Sequence, residues 1–224
     1  REGWLVLAPH PDDEVLGAGG LLATLAARRA RVRVALLTDG AASHVGAPGW
    51  SARRIAAARA GEAAAALRML GVRDAPLFLG WRDAAPAAPG SPAWEATVRR
   101  LVALCRRHRL RRVVASWEAD PHCDHEAAAR IAQEVSRRIG VRPDFYAVWG
   151  WTRPDVAARL AGMAAQALPV ACWRGQQRRA LACHRSQTGG RIFGAAERFV
   201  LPVSMRRLVA RTHFLLLSEP RHAS

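Results

Sequence analysis

The segment "LAPHPDDEVLGAGG" packs His10, Asp12, Asp13 and Glu14 together directly behind an apolar run, "WLVLA". A second cluster, "EADPHCDHEAA", follows "RRVVASW" about 110 residues later and holds His122, Asp124 and His125. A hydrophobic core has no use for so much polarity, but a metal-assisted hydrolysis does. A catalytic zinc takes three protein ligands, commonly imidazole and carboxylate, and keeps a fourth position for water. His10, Asp13 and His125 supply such a set. The water needs a general base within hydrogen-bond reach, and Asp12 stands beside the ligands. An oxyanion developing on an attacked carbonyl needs a donor; His122 is available, with Asp124 near enough to orient it and favour its charged form.

A simpler reading competes. Asp12 and Asp13 could cap a helix starting near Val15, and His122 and His125 could serve the helix after them. Two ligand-rich clusters, each placed just past a strand, favour the metal reading over a pair of caps. "GAGG" lacks the third glycine of a dinucleotide fingerprint and follows a polar loop. Its glycines read instead as room for close packing of helix on strand.

The elements around these clusters alternate. Strand-like segments at 3–9, 31–40, 75–81, 111–119 and 144–151 are separated by helix-like ones at 15–29, 51–70 and 92–108, and by 121–139, which reads as loop then helix. Ser51 and Ser91 stand as N-caps; Gly71 and Gly140 stand as stops. Parallel pairing through right-handed crossovers follows, which predicts an α/β fold: a Rossmann-like, doubly wound, mostly parallel sheet with helices on both faces. Ligands in such sheets bind at the carboxyl ends of the strands, near the topological switch point. Both clusters fall at strand ends. Beyond residue 152 the pattern loosens, although 174–187 still reads as helix. No repeat or linker interrupts the chain, and residues 1–224 are expected to form one domain.

Composition narrows the class. The 224 residues carry a net charge of +16, and all 34 basic residues are arginine. With an Ala-rich background this reads as the coding bias of a GC-rich genome. The arginines are scattered and lack interleaved aromatics, so no dedicated nucleic-acid partner is expected. No apolar run reaches the length of a membrane span. The four cysteines form no CxxC pair and read as reduced thiols, as in a cytoplasmic protein.

At this point "HPDDEVLGAGG" and "PHCDH" resemble the paired motifs of the LmbE-like, or PIG-L-type, N-acetylglucosamine deacetylases, in order, strand context and separation. Looser likenesses run along the chain in "RVRVALLTDG", "ARAGEAAAALRMLGV", "LFLGWRD" and "RALACHRSQ". The resemblance implies a metal-dependent hydrolase, with zinc or ferrous iron on His10, Asp13 and His125. It implies Asp12 as base and His122 as the group that stabilises the tetrahedral intermediate and helps the amine leave. It carries Arg59, Asp83 and His184 as substrate-binding positions, although Arg59 could equally pair with Glu62. Cys123 departs from the pattern, where many relatives have Pro. The implied substrate is a small N-acetylated amino sugar or glycoconjugate. Two other readings stand beside it: a deacylase acting on another amide, such as a longer acyl chain on an antibiotic or lipid, and a non-catalytic binder of polyanions.

Overall fold

The computed structural model describes residues 2–219. Its strands are β1 (Gly3–Ala8), β2 (Arg31–Thr38), β3 (His44–Val45), β4 (Leu77–Trp81), β5 (Leu110–Ser116), β6 (Pro143–Tyr146), β7 (Ala164–Pro169), β8 (Glu197–Arg198) and β9 (His213–Ser218). Its helices are α1 (Asp13–Leu16), α2 (Gly19–Ala27), α3 (Ala52–Met69), α4 (Pro92–His108), α5 (Cys123–Ile139), α6 (Val156–Leu160), α7 (Arg174–Cys183) and α8 (Val203–Arg206).

Seven strands form one sheet in the order β4-β2-β1-β5-β6-β9-β7. The first five are parallel, while β9 joins β6 and β7 antiparallel. Strand alternation sorts the core into two layers. Val6 and Val114 face one side, with Leu21, Leu67 and Leu181 from α2, α3 and α7. Leu5, Leu7 and Val113 face the other, with Leu101 and Ile131 from α4 and α5. The fold is α/β and doubly wound, as the alternation predicts. The chain reverses direction across the sheet between β1 and β5, which are direct neighbours. Both polar clusters leave the carboxyl ends of these two strands.

Local chemistry fixes the flanking helices. Ser51 Oγ accepts from Arg54 N–H and Ser91 Oγ from Trp94 N–H, and α5 stops at Gly140 in a left-handed conformation, φ 71°. One expectation needs correction. Residues 15–29 do not form a single helix; α1 ends at Leu16 and α2 starts at Gly19. At the break, a Cβ on Gly17 would overlap the ring of Tyr146. This close approach brings α1 against the sheet and sets the direction in which Asp13 leaves β1.

The end of the chain adds what its loose pattern hid. β9 and β7 widen the sheet, and β8 pairs with β3 in a short antiparallel ribbon. Phe199 N–H donates to Ser43 C=O at 2.8 Å, so the segment after β8 is pinned beside the first polar loop. All four cysteines are free. Among the described residues no helix is long and apolar enough to cross a membrane.

Candidate active site

Asp13 is the centre of the cluster. Its Oδ2 lies 3.1 Å from His10 Nδ1 and 3.2 Å from His125 Nε2. Each imidazole meets a second carboxylate on its far edge: Asp124 Oδ2 is 3.0 Å from His10 Nε2, and Asp120 Oδ2 is 2.9 Å from His125 Nδ1. Asp120 is itself held by the N–H groups of Val148 and Gly150, at 2.9 and 2.5 Å. Such outer carboxylates fix an N–H on the nitrogen they face and leave the other nitrogen as a ligand.

The donor set fits a divalent cation. His10, Asp13 and His125 each offer one ligand atom, all within 4.8 Å of one another. Among the described residues, buried His125 Nε2 has Asp13 Oδ2 at 3.2 Å but makes no well-directed hydrogen bond. Without a cation the positive charge must come from protons. Burial opposes charging of His10, yet its bonds to Asp124, Asp13 and Asp83 raise it well above the usual imidazole range. Burial likewise opposes charging of His125, but the charge of Asp13 and the bond to Asp120 lift it to about 9. Asp13 is held far below the ordinary carboxylate range; burial would raise it, and the two imidazoles outweigh burial. His10, His122 and Asp124 form a second grouping within the same limit. Asp124, however, already accepts from His10 and from Ala84 N–H at 2.8 Å.

Asp12 makes no side-chain cap bond to α1, so the capping reading does not account for it. Its backbone is strained, with φ 142°, a conformation that costs a non-glycine residue about 1–3 kcal/mol. Asp12 N–H donates to Glu14 Oε2 at 2.8 Å, and Glu14 Oε1 meets His184 Nε2 at 2.9 Å. Arg59 Nη2 lies 3.5 Å from Asp12 Oδ2 and donates to Pro11 C=O at 2.7 Å, while its Nη1 donates to Gly40 C=O at 2.9 Å. Burial raises the Asp12 carboxyl to about 7 against the pull of Arg59, with Asp13 adding to the rise. A carboxyl poised near neutrality is suited to taking up and returning a proton.

His122 does cap a helix: its Nδ1 accepts from Asp124 N–H at 3.2 Å. That bond requires a lone pair on Nδ1 and leaves the proton on Nε2. Asp124 Oδ2 lies 3.9 Å from His122 Nδ1, and burial, with the nearby His10 and His125, lowers the pKa of His122. Asp124 does pull His122 toward its charged form, as expected, but burial and the neighbouring imidazoles outweigh that pull, and the Asp124 backbone N–H orients the ring.

A cavity of about 240 Å³ opens on this cluster, lined by Asp12, Arg59, Asp83 and His122 together with Trp149 and Phe199. Asp83 Oδ1 lies 3.3 Å from His10 Nε2, and its Oδ2 accepts from Ala42 N–H at 3.2 Å. Glu62 is bound to Ser186 and Arg191 instead of Arg59. His184, expected at the substrate, is fully buried and does not line the cavity; its ring is spent on Glu14. Asp120 and Glu14 went unassigned in the sequence reading, although both stand inside the quoted motifs. His222 lies outside the described residues.

Buried imidazoles and carboxylates thus gather at the switch point of a doubly wound sheet, as a donor set that could hold a metal ion. A family model described as PIG-L, GlcNAc-PI de-N-acetylase, matches residues 5–136, and the chain belongs to this family. A protein of Nocardia farcinica (strain IFM 10152), named 1D-myo-inositol 2-acetamido-2-deoxy-alpha-D-glucopyranoside deacetylase, is 31% identical over 248 residues, covering 94% of this chain and 79% of that one. Its namesake in Mycobacterium avium (strain 104) is 40% identical over 98 residues, covering 39% of this chain and 32% of that protein. This chain thus spans about a third of the length of that relative. Among solved structures, N,N'-diacetylchitobiose deacetylase from Pyrococcus horikoshii shares the fold, with a TM-score of 0.66 at 23% identity over 83% of this chain and 70% of its own.

Proposed function

We propose that this protein is a metal-dependent N-deacetylase that hydrolyses the acetamide of an N-acetylated amino sugar or glycoconjugate, with zinc on His10, Asp13 and His125. The observation that carries the reading is the juxtaposition of Asp12, a buried carboxyl, with His10 and Asp13 in the lining of one cavity and with buried His125 beside Asp13. The names of the relatives support the substrate class. We keep the cytoplasm as its expected location, on its four free thiols, and one catalytic domain as its organisation.

A bound divalent ion supplies Lewis-acid polarisation of the acetamide carbonyl and acidifies water. Asp12 takes a proton as water attacks the carbonyl carbon. His122, neutral and donating through Nε2–H, stabilises the oxyanion of the tetrahedral intermediate. Asp12 then returns its proton to the nitrogen, the C–N bond breaks, and acetate and the free amine leave. Arg59 keeps Asp12 aimed at the cavity, and Asp83 sits on the rim where a sugar hydroxyl can reach it.

The test is acetate release from a panel: an N-acetylglucosaminyl inositol, N,N'-diacetylchitobiose, N-acetylglucosamine and a long-chain N-acyl amine. Release from the acetylated sugars is the predicted result. Fatty acid release alone would move the substrate to another amide. No hydrolysis of any of them by the zinc-loaded protein would contradict the reading.

A further inference from the structure

We propose that Glu14 and His184 form a buried strut that holds Asp12 in its strained conformation, both acting as positioning residues that do not touch substrate. The kinetic part of this inference rests on the deacetylase reading; the conformational part does not.

The strained residue has one anchor on its own N–H. Asp12 sits at φ 142°, a region that side-chain-bearing residues rarely adopt, and its N–H donates to Glu14 Oε2 at 2.8 Å. Glu14 would be a poor anchor alone. It is fully buried, on a helix of four residues, and an unpaired carboxylate there is strongly disfavoured. Its other oxygen meets His184 Nε2 at 2.9 Å, from a residue 170 positions away in the chain. His184 is set in turn at the end of α7: its N–H donates to Leu181 C=O, and its C=O accepts from Gln187 and Thr188 N–H. The path therefore runs from a rigid helix end, through two fully buried side chains, to the backbone of the proposed base. Among the described residues His184 Nδ1 has no hydrogen-bond partner and the ring's side-chain hydrogen bond is the one to Glu14, so an amide donor of similar reach can replace it.

The test compares His184→Phe, which fills the volume without a donor, with His184→Gln, which restores an N–H near the position of Nε2. Each is measured for metal content, for kcat and KM of acetate release, and for hydrogen exchange of the Asp12 amide by NMR. A misplacement of about 1 Å at a reacting group costs on the order of 10²-fold in rate. His184→Phe is therefore expected to keep its metal and its KM, to lose roughly 10- to 100-fold in kcat, and to exchange the Asp12 amide faster. His184→Gln should recover most of both. If His184→Phe does not fold, Glu14→Gln replaces it, since its amide cannot accept from both partners at once. Wild-type kcat with unchanged exchange in a metal-replete variant would overturn the strut, as would a raised KM at constant kcat or a Gln variant as slow as the Phe variant. If the wild-type protein releases no acetate, the deacetylase reading fails by itself, and the exchange rates alone decide the strut.

Discussion

Asp13 lies between two imidazoles whose outer nitrogens are already engaged by Asp124 and Asp120. The space the three share must hold positive charge, as protons or as a cation. With His10 and His125 both raised, metal uptake near pH 7 should displace about two protons, measurable by titrating metal into weakly buffered apoprotein. Uptake without proton release would contradict the assignment. The same shifts set a pH dependence for the metal-free protein. A raised His125 contributes stability that is full below its ordinary value of 6.5 and is lost as pH rises through about 9. Thermal scans of apoprotein should show Tm falling across that window, while the metal-loaded protein stays nearly flat. His122 works as a neutral donor in this account. His122→Ala should keep the metal and lose roughly 10²–10³-fold in kcat, the usual effect of removing one oxyanion donor.

At the scale of elements, β1, β5 and the two helices that follow them bring the residues together. Gly17 is where this placement is most exposed to a single change. Gly17→Ala puts a methyl group into the Tyr146 ring and should cost about 1–3 kcal/mol by overpacking, read by denaturant unfolding. Metal affinity should fall with it, because α1 carries Asp13; unchanged stability and affinity would mean that the α1–sheet contact is not what places Asp13. Much of this arrangement is legible in the sequence because its signals are local. Ser51, Ser91 and Gly140 mark helix ends by chemistry that needs no distant partner, and "RRVVASW" reads as a buried strand from composition alone. What escaped depended on distant partners. β7 is an Ala-rich, exposed edge strand without alternation, and only its pairing with β9 defines it. The site divides in the same way. Metal-binding residue types stand side by side in "HPDDE" and "PHCDH", whereas the work of Glu14 depends on a histidine 170 residues away. The lowered pKa of His122 depends on burial and on His10 and His125, which only the fold brings beside it.

For the whole molecule, 34 arginines against 18 acidic residues leave a net charge of +16, and some of the arginines are paired where they pack. Arg138 reaches Glu134 within α5 and Glu95 on α4, so part of the basic surface ties the layer of α4 and α5 together. Binding to nucleic acid is expected to be weak and to vanish as salt rises toward about 0.2 M, with acetate release from a neutral sugar unchanged over the same range. Tight binding to nucleic acid that falls steeply with salt, in a protein that takes up no metal, would return the polyanion-binding reading to the front.

The central claim is that Asp12 is the base beside a metal held by its neighbours, and Asp12→Ala tests it most directly when metal content and acetate release are measured on the same sample. The account predicts about one equivalent of metal and turnover lower by roughly 10²–10⁴-fold. A variant that keeps its metal and turns over at the wild-type rate, or that loses the metal along with activity, would contradict it.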